Sequence, residues 1–209
     1  MKSRIPIFPL KLVLFPGAKY PLHIFEERYK KMINRCIERD EEFGIVSNID
    51  SNFSKVGCIA IVEKVTRTYS DGSFDIVVTG KDRFKTKSIV LGNEGYLEAE
   101  IIPFADYEIT EIDELLYNKT VDKLLEILKI ADVKLGNEFW ANLTVADIKS
   151  FKLAEKAGLN LKQQQNVLSS QDEISRLNYI YDHLNKVEGI IEKNKIAQEL
   201  IAGDGYLNQ

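Results

Sequence analysis

Two histidines, two cysteines and a few clusters of like charge hold whatever chemistry this 209-residue chain could perform. His23 lies three and four residues before Glu26 and Glu27, and a histidine with a carboxylate partner can act as a general acid or base. On a strand from Pro21 to Phe25, however, Leu22 and Ile24 point away from His23. A half-buried ring bonded to the backbone is then the preferred reading. Glu98 and Glu100 share one strand face, a conceivable carboxylate pair, but nothing near them in sequence supplies a nucleophile. Glu41-Glu42 and Asp113-Glu114 read as solvated charges. Lys81, Arg83, Lys85 and Lys87 alternate and so fall on one strand face, normally a solvated sheet surface. Cys36 and Cys58 sit among apolar neighbours and read as buried reduced thiols. With His23 and His183 far apart, no metal site is expected. No catalytic residue and no cofactor are assigned.

The densest segment is Ile7 to Tyr29, IFPLKLVLFPGAKYPLHIFEERY. Its first half is an apolar run from Ile5 to Phe15 interrupted by Pro6 and Pro9. Since proline removes a ladder donor, the run is predicted at a sheet edge or with a bulge. Pro16-Gly17 is a turn signal, because proline fixes the first turn dihedral and glycine accepts the positive one that follows. Tyr20 to Phe25 returns as a second strand, and Glu26 to Arg39 follows as a helix with Tyr29, Ile33, Cys36 and Ile37 at helical spacing. Among the aromatics, Phe8 and Phe25 are expected in the core. Phe15 and Tyr20 are candidates for an exposed fringe around the turn.

Further along, Glu42 to Ser47 reads as a strand and Asn48 to Lys55 as a polar loop. Val56 to Tyr69 and Phe74 to Thr79 flank Ser70-Asp71-Gly72-Ser73, a strong hairpin signal. Gly80 predicts a bulge or tight bend before the strand resumes to Leu91. Gly92 to Gly95 is a second turn, and Tyr96 to Phe104 the returning strand. From about Tyr107 the period changes. Thr110-Glu111-Ile112-Asp113 resembles a capping box that opens a helix ending near Gly136. A second helix is predicted over Phe139 to Ala157, broken near Asn142 to Thr144, with a new cap at Thr144 to Asp147 and Gly158 as its stop. Lys162 to Leu168 is a short helix. Ser170-Gln171-Asp172-Glu173 reads as a full capping box opening the longest helix, which keeps helical propensity to Ile201, ends at Gly203-Asp204-Gly205 and leaves a frayed tail, Tyr206 to Gln209.

Composition narrows the class. A hydrophobic share of 44% beside 29% charged residues is that of a folded soluble chain. No apolar run approaches the length of a membrane span and no leader with a cleavage site is visible, so a cytoplasmic protein is expected. Residues 1–108 carry 16 Lys+Arg and 16 Asp+Glu, while the remainder carries 12 and 16, which gives the net −4. Neither half is a basic footprint, and this argues against nucleic acid.

The pattern FPL..VLFPG...PLHIFE.RY..M resembles the opening of the Lon N-terminal domain family. GCIAIVEKV, DGSFDIVVTGKDRF and YLEAEI resemble its strands, and FKLAEKAGL, KQQQNVL and EISRLNYIYDHL its helices. The likeness thins over Asp132 to Asn142 and after Glu192. It implies an α+β fold, with an N-terminal PUA-like β pseudo-barrel containing one early helix over residues 1–108 and a C-terminal α-helical bundle over 109–209. It also implies a substrate-recognition module that binds unfolded or extended polypeptide. Phe15, Pro16, Gly17, Tyr20 and His23 are the candidate peptide-binding residues. The phosphate-cradling G-x-x-x-x-G-K-[ST] motif and a G-x-S-x-G elbow are both absent, so neither the ATPase nor the peptidase of a full Lon is expected in the chain. A separate ATPase or protease partner and the oligomeric state stay open. An RNA-binding PUA-like module is the alternative reading, and an enzyme with a cleft between lobes a third.

Overall fold

A computed structural model describes residues 4–107 and 113–204, with side chains as far as residue 193. Seven strands and six helices are described: β1 (Arg4–Leu10), β2 (Lys19–Ile24), α1 (Glu27–Arg39), β3 (Phe43–Ile49), β4 (Asn52–Phe53), β5 (Val56–Thr68), β6 (Phe74–Leu91), β7 (Leu97–Pro103), α2 (Glu114–Ile130), α3 (Asn137–Val145), α4 (Lys149–Ala154), α5 (Leu161–Ser169) and α6 (Glu173–Asp204). The expected α+β order, a β-rich first part followed by helices, is borne out, and the sheet is mixed because β1 and β3 pair in parallel.

Strand order runs β1-β7-β6-β5-β3, and a parallel β1–β3 pairing closes the ring. The expectation that the first run lies at an edge is therefore corrected. Arg4 to Ile7 pair with β7, while Ile7 to Leu10 pair with β3. Each half of β1 is paired on one flank, so each proline can turn its missing donor toward the other. The strand also stops at Leu10 rather than reaching Phe15. Apart from the two-residue β4, the one-sided strand among the described residues is β2, which pairs with β6 alone and carries Pro21 exposed. Inside the ring Ile7, Val46, Ile59, Phe84 and Ala99 form a small core of their own.

Local chemistry accounts for most turns. Ala18 N–H donates to Phe15 O (3.1 Å) across Pro16-Gly17, with Gly17 at φ +74°. The β5–β6 hairpin closes where expected, with Asp71 Oδ1 accepting from Ser73 N–H (3.0 Å). Phe74, Ile76 and Val78 face inward as their alternation predicts. After Gly80 the register against β5 slips between Cys58 and Ala60, so the predicted bulge lies at Lys81-Asp82. The predicted solvated row of cations is broken too: Arg83 is 5% exposed, bonded to the Leu168 and Ser170 carbonyls of the helical part, while Lys81, Lys85 and Lys87 stay outside. The polar stretch after β3 is not all loop. Asp50 and Ser51, both at positive φ, make a tight turn into β4.

Helix boundaries follow caps that differ in part from those expected. Asp113 caps α2 by accepting from Leu116 N–H (3.0 Å), whereas Thr110 to Ile112 and the tail from Gly205 lie outside the described residues. The break in the second helix falls at Ala146 to Ile148, later than Asn142 to Thr144. Thr144 bonds back to Trp140 O instead of capping α4. Ser170 ends α5, and the residue capping α6 is Asp172, which accepts from Ser175 N–H (2.6 Å). Asn160 and Gln163 form the complete capping box, at the start of α5.

The main core is continuous from β strands to helices, running from Phe8, Leu14 and Phe15 to Phe151, Leu168, Leu177 and Leu184. Cys36 and Cys58 are both buried within it, as expected, and burial pushes the Cys58 thiol up to about 12. Cys58 should therefore stay unlabelled by a thiol-disulfide reagent at pH 8 until urea unfolds the chain. Gly189 lies within α6 with nothing near a prospective Cβ. Gly189→Ala should raise stability by about 0.5–1 kcal/mol in a urea titration.

Candidate functional site

A groove of about 810 Å³ opens where the end of β1, the β2–α1 junction and the β3–β4 hairpin meet. Its floor is the stacked pair Phe8 and Tyr29, with ring centroids 4.2 Å apart and both rings buried. Phe25, 63% exposed, and Phe53, 41% exposed, stand in its walls. The alternation that buries Leu22 and Ile24 continues one residue past β2, placing Phe25 on the outward side with His23. Phe25 was expected in the core with Phe8. Phe8 is there and Phe25 is not.

His23 is half exposed on the groove wall. Its ring stacks near Phe25 (5.7 Å), and Nδ1 lies 2.6 Å from Asp75 Oδ1. The preferred reading of a backbone-bonded ring is thus corrected, since the β2–β6 register sets His23 directly opposite Asp75. Tyr69 O–H donates to the other Asp75 oxygen (2.6 Å), and Arg67 covers the Tyr69 ring. Those hydrogen bonds, from Tyr69 first and His23 second, hold the Asp75 carboxyl below its usual range, and the same contact raises the Tyr69 hydroxyl. Thr66 Oγ1 donates to the Asp75 main-chain oxygen (3.3 Å), and the arrangement as a whole orients the imidazole. Asp75 and Tyr69 lie across a sheet register from His23, and local sequence gave no signal for them.

Of the other residues expected to contact a ligand, Phe15 is 2% exposed and stacks on Phe151 of α4 (5.6 Å). Its expected place on an exposed fringe is corrected, because a helix more than a hundred residues away covers it. Pro16 and Gly17 form the turn that packs on β6, with Gly17 N–H donating to Gly80 O (2.9 Å). Tyr20 is 43% exposed, as anticipated, but lies outside the groove. Glu100 pairs with Lys87 (3.1 Å) rather than forming an acid pair with Glu98. His183 sits apart, beside Gln163, and burial lowers its pKa. Among the described residues no three His, Cys, Asp or Glu side chains group to hold a metal ion, and no helix is long and apolar enough to cross a membrane.

A second polar cluster joins strands to helices. Arg176, fully buried on α6, donates to both Asp106 oxygens (2.8 and 2.6 Å) and to Glu173 Oε2 (2.9 Å). Arg83, from the bulged β6, reaches Asp106 and the carbonyls of Leu168 and Ser170. Glu173 also accepts from Ser150 N–H (2.9 Å), satisfying a donor at the open start of α4. Burial pushes the Asp106 carboxyl up, but Arg176 and Arg83 outweigh it and hold it below the ordinary carboxylate range. This cluster ties the helices to β6 of the ring.

The model of the ATP-dependent protease La (LON) substrate-binding domain matches residues 4–186. The chain belongs to that family. Similar members of the Lon family include the Lon protease of Cytophaga hutchinsonii, 24% identical over 88% of this chain, and Lon protease 1 of Bacillus subtilis, 25% identical over 96%. The chain spans about a quarter of the length of these curated relatives, 24% and 27% respectively. A Lon N-terminal domain protein from Xanthomonas campestris superposes with a TM-score of 0.62 at 25% identity, covering 84% of this chain and 95% of that one. The N-terminal domain of Mycobacterium avium complex Lon protease, 19% identical, has the same fold, with a TM-score of 0.67 over 87% and 98% of the two chains.

Proposed function

We propose that this Lon-family chain is a non-enzymatic recognition module that holds unfolded or extended polypeptide in the groove beside β2 and acts with a separate ATPase or protease. The observation that carries the reading is the pair of exposed rings, Phe25 and Phe53, in the walls of an open apolar groove next to a strand edge that no other strand covers. Exposed apolar surface of this kind marks binding sites, and an unpaired edge can accept an added strand. His23 keeps its proposed contact role. Phe15 does not, and Pro16, Gly17 and Tyr20 could contribute only if a client extends beyond the groove. The proposal divides the work between a β lobe, residues 1–108, and a helical lobe, residues 109–209, in the cytoplasm.

Titration calorimetry with a reduced, carboxymethylated client protein tests the reading. Binding is expected at micromolar concentration, unchanged by ATP, and weakened at least about fivefold by Phe25→Asp. Absence of association at micromolar levels would sink it.

A further inference from the structure

The groove's polar groups are arranged asymmetrically. The Asp75 carboxylate can only accept, so the hydrogen bond at His23 Nδ1 requires the proton to be on that nitrogen. In the neutral ring Nε2 is then an acceptor, and it makes no hydrogen bond within the described structure. Lys11, exposed in the groove lining just past the end of β1, has no ion-pair partner among the described residues, whereas Arg28 is tied to Glu26 (2.6 Å). The lining groups thus carry a net positive charge, in a chain whose net charge is −4. Beside these groups stands the exposed Phe25 ring.

We infer that the groove prefers an extended segment in which a large apolar residue is followed closely by an acidic one. The apolar side chain packs on Phe25, a main-chain N–H donates to His23 Nε2, and the carboxylate pairs with Lys11. This rests on the polypeptide-binding reading above and adds to it a selectivity by charge. Asp75 acts as a positioning residue, since it touches no ligand and fixes which nitrogen of His23 is offered.

The test uses fluorescence anisotropy with three labelled synthetic peptides that are identical except that a central Leu-Leu pair is followed by Asp, Asn or Lys. At low ionic strength the Asp peptide should bind about threefold more tightly than the Asn peptide, the Lys peptide most weakly, and the spread should shrink with added salt. Lys11→Ala should remove the ranking among the three peptides, and a ranking that persists in this variant would overturn the role of Lys11. His23→Ala should weaken all three peptides about fivefold without altering their order, and His23→Gln, which retains an acceptor, should restore much of the loss. Equal binding of the three peptides, still reduced by Phe25→Asp, would overturn the charge selectivity and leave polypeptide binding standing. Unchanged affinity in His23→Ala would remove the acceptor role. Failure of every peptide and of the carboxymethylated client to bind would overturn both readings.

Discussion

Replacing Arg176 by alanine is expected to destabilise the protein by about 3–5 kcal/mol, read from the shift of a urea unfolding curve at constant slope. The guanidinium is fully buried and bonds Asp106 and Glu173 at 2.6 to 2.9 Å. Removing it leaves two carboxylates with part of their desolvation cost uncompensated. Lys123→Ala provides the contrast. Lys123 joins α2 to α6 through Glu188 (3.0 Å) at the protein surface, and its loss should cost less than about 1 kcal/mol. The same cluster sets an acid limit. Asp106 has a folded pKa below its unfolded value of about 3.9, so its contribution is complete above that pH and disappears as pH falls through the lower folded value. The Asp106→Asn protein should start less stable at pH 7 and lose less stability than the parent on acidification through this range.

Gly80→Ala should cost about 3 kcal/mol by the same measurement. A Cβ at residue 80 would lie 2.2 Å from the carbonyl oxygen of Phe15, a backbone atom that no rotamer change can withdraw. Relief requires the Pro16-Gly17 turn to move, and that turn is held by hydrogen bonds in both directions, Gly17 N–H to Gly80 O and Gly80 N–H to Ala18 O, each 2.9 Å. Movement there would also disturb Phe15, which stacks on Phe151, so the effect should reach α4. Amide exchange at residues 150–154 should accelerate in the variant. Unchanged exchange would show that the turn and the helices are not mechanically joined.

Features fixed by a few adjacent residues were legible in the sequence. The Pro16-Gly17 and Asp71-Gly72 turns, the alternation of Phe74, Ile76 and Val78, and the bulge after Gly80 each follow from dihedral or periodic preferences within a handful of positions. The chain's family was legible because its opening motif is long. What failed depended on partners distant in sequence. Pro6 and Pro9 suggested an edge because the split pairing of β1 is invisible from β1 itself. Ser170 to Glu173 had the form of a capping box, but Glu173 turns to Ser150 and Arg176, and the shorter reach of Asp172 provides the cap. Phe15 had the neighbours of a surface turn and the burial of a core residue. At the candidate site His23 stood out in the sequence by its residue type and its dense surroundings, while its partner Asp75, fifty-two positions away, needed the strand register.

The divided pairing of β1 has a consequence for the order of events during synthesis. Residues 4–10 leave the ribosome before either of their partners, since one half of the strand needs residues 44–47 and the other residues 97–100. The ring cannot close until residue 100 has been made, and its closing contacts are among the most distant in the β-rich part, the kind that slow folding. Until then Arg4 to Ile7 lack their partners on β7, so a nascent chain stalled before residue 97 should expose apolar polypeptide of the very type that the finished groove is proposed to hold.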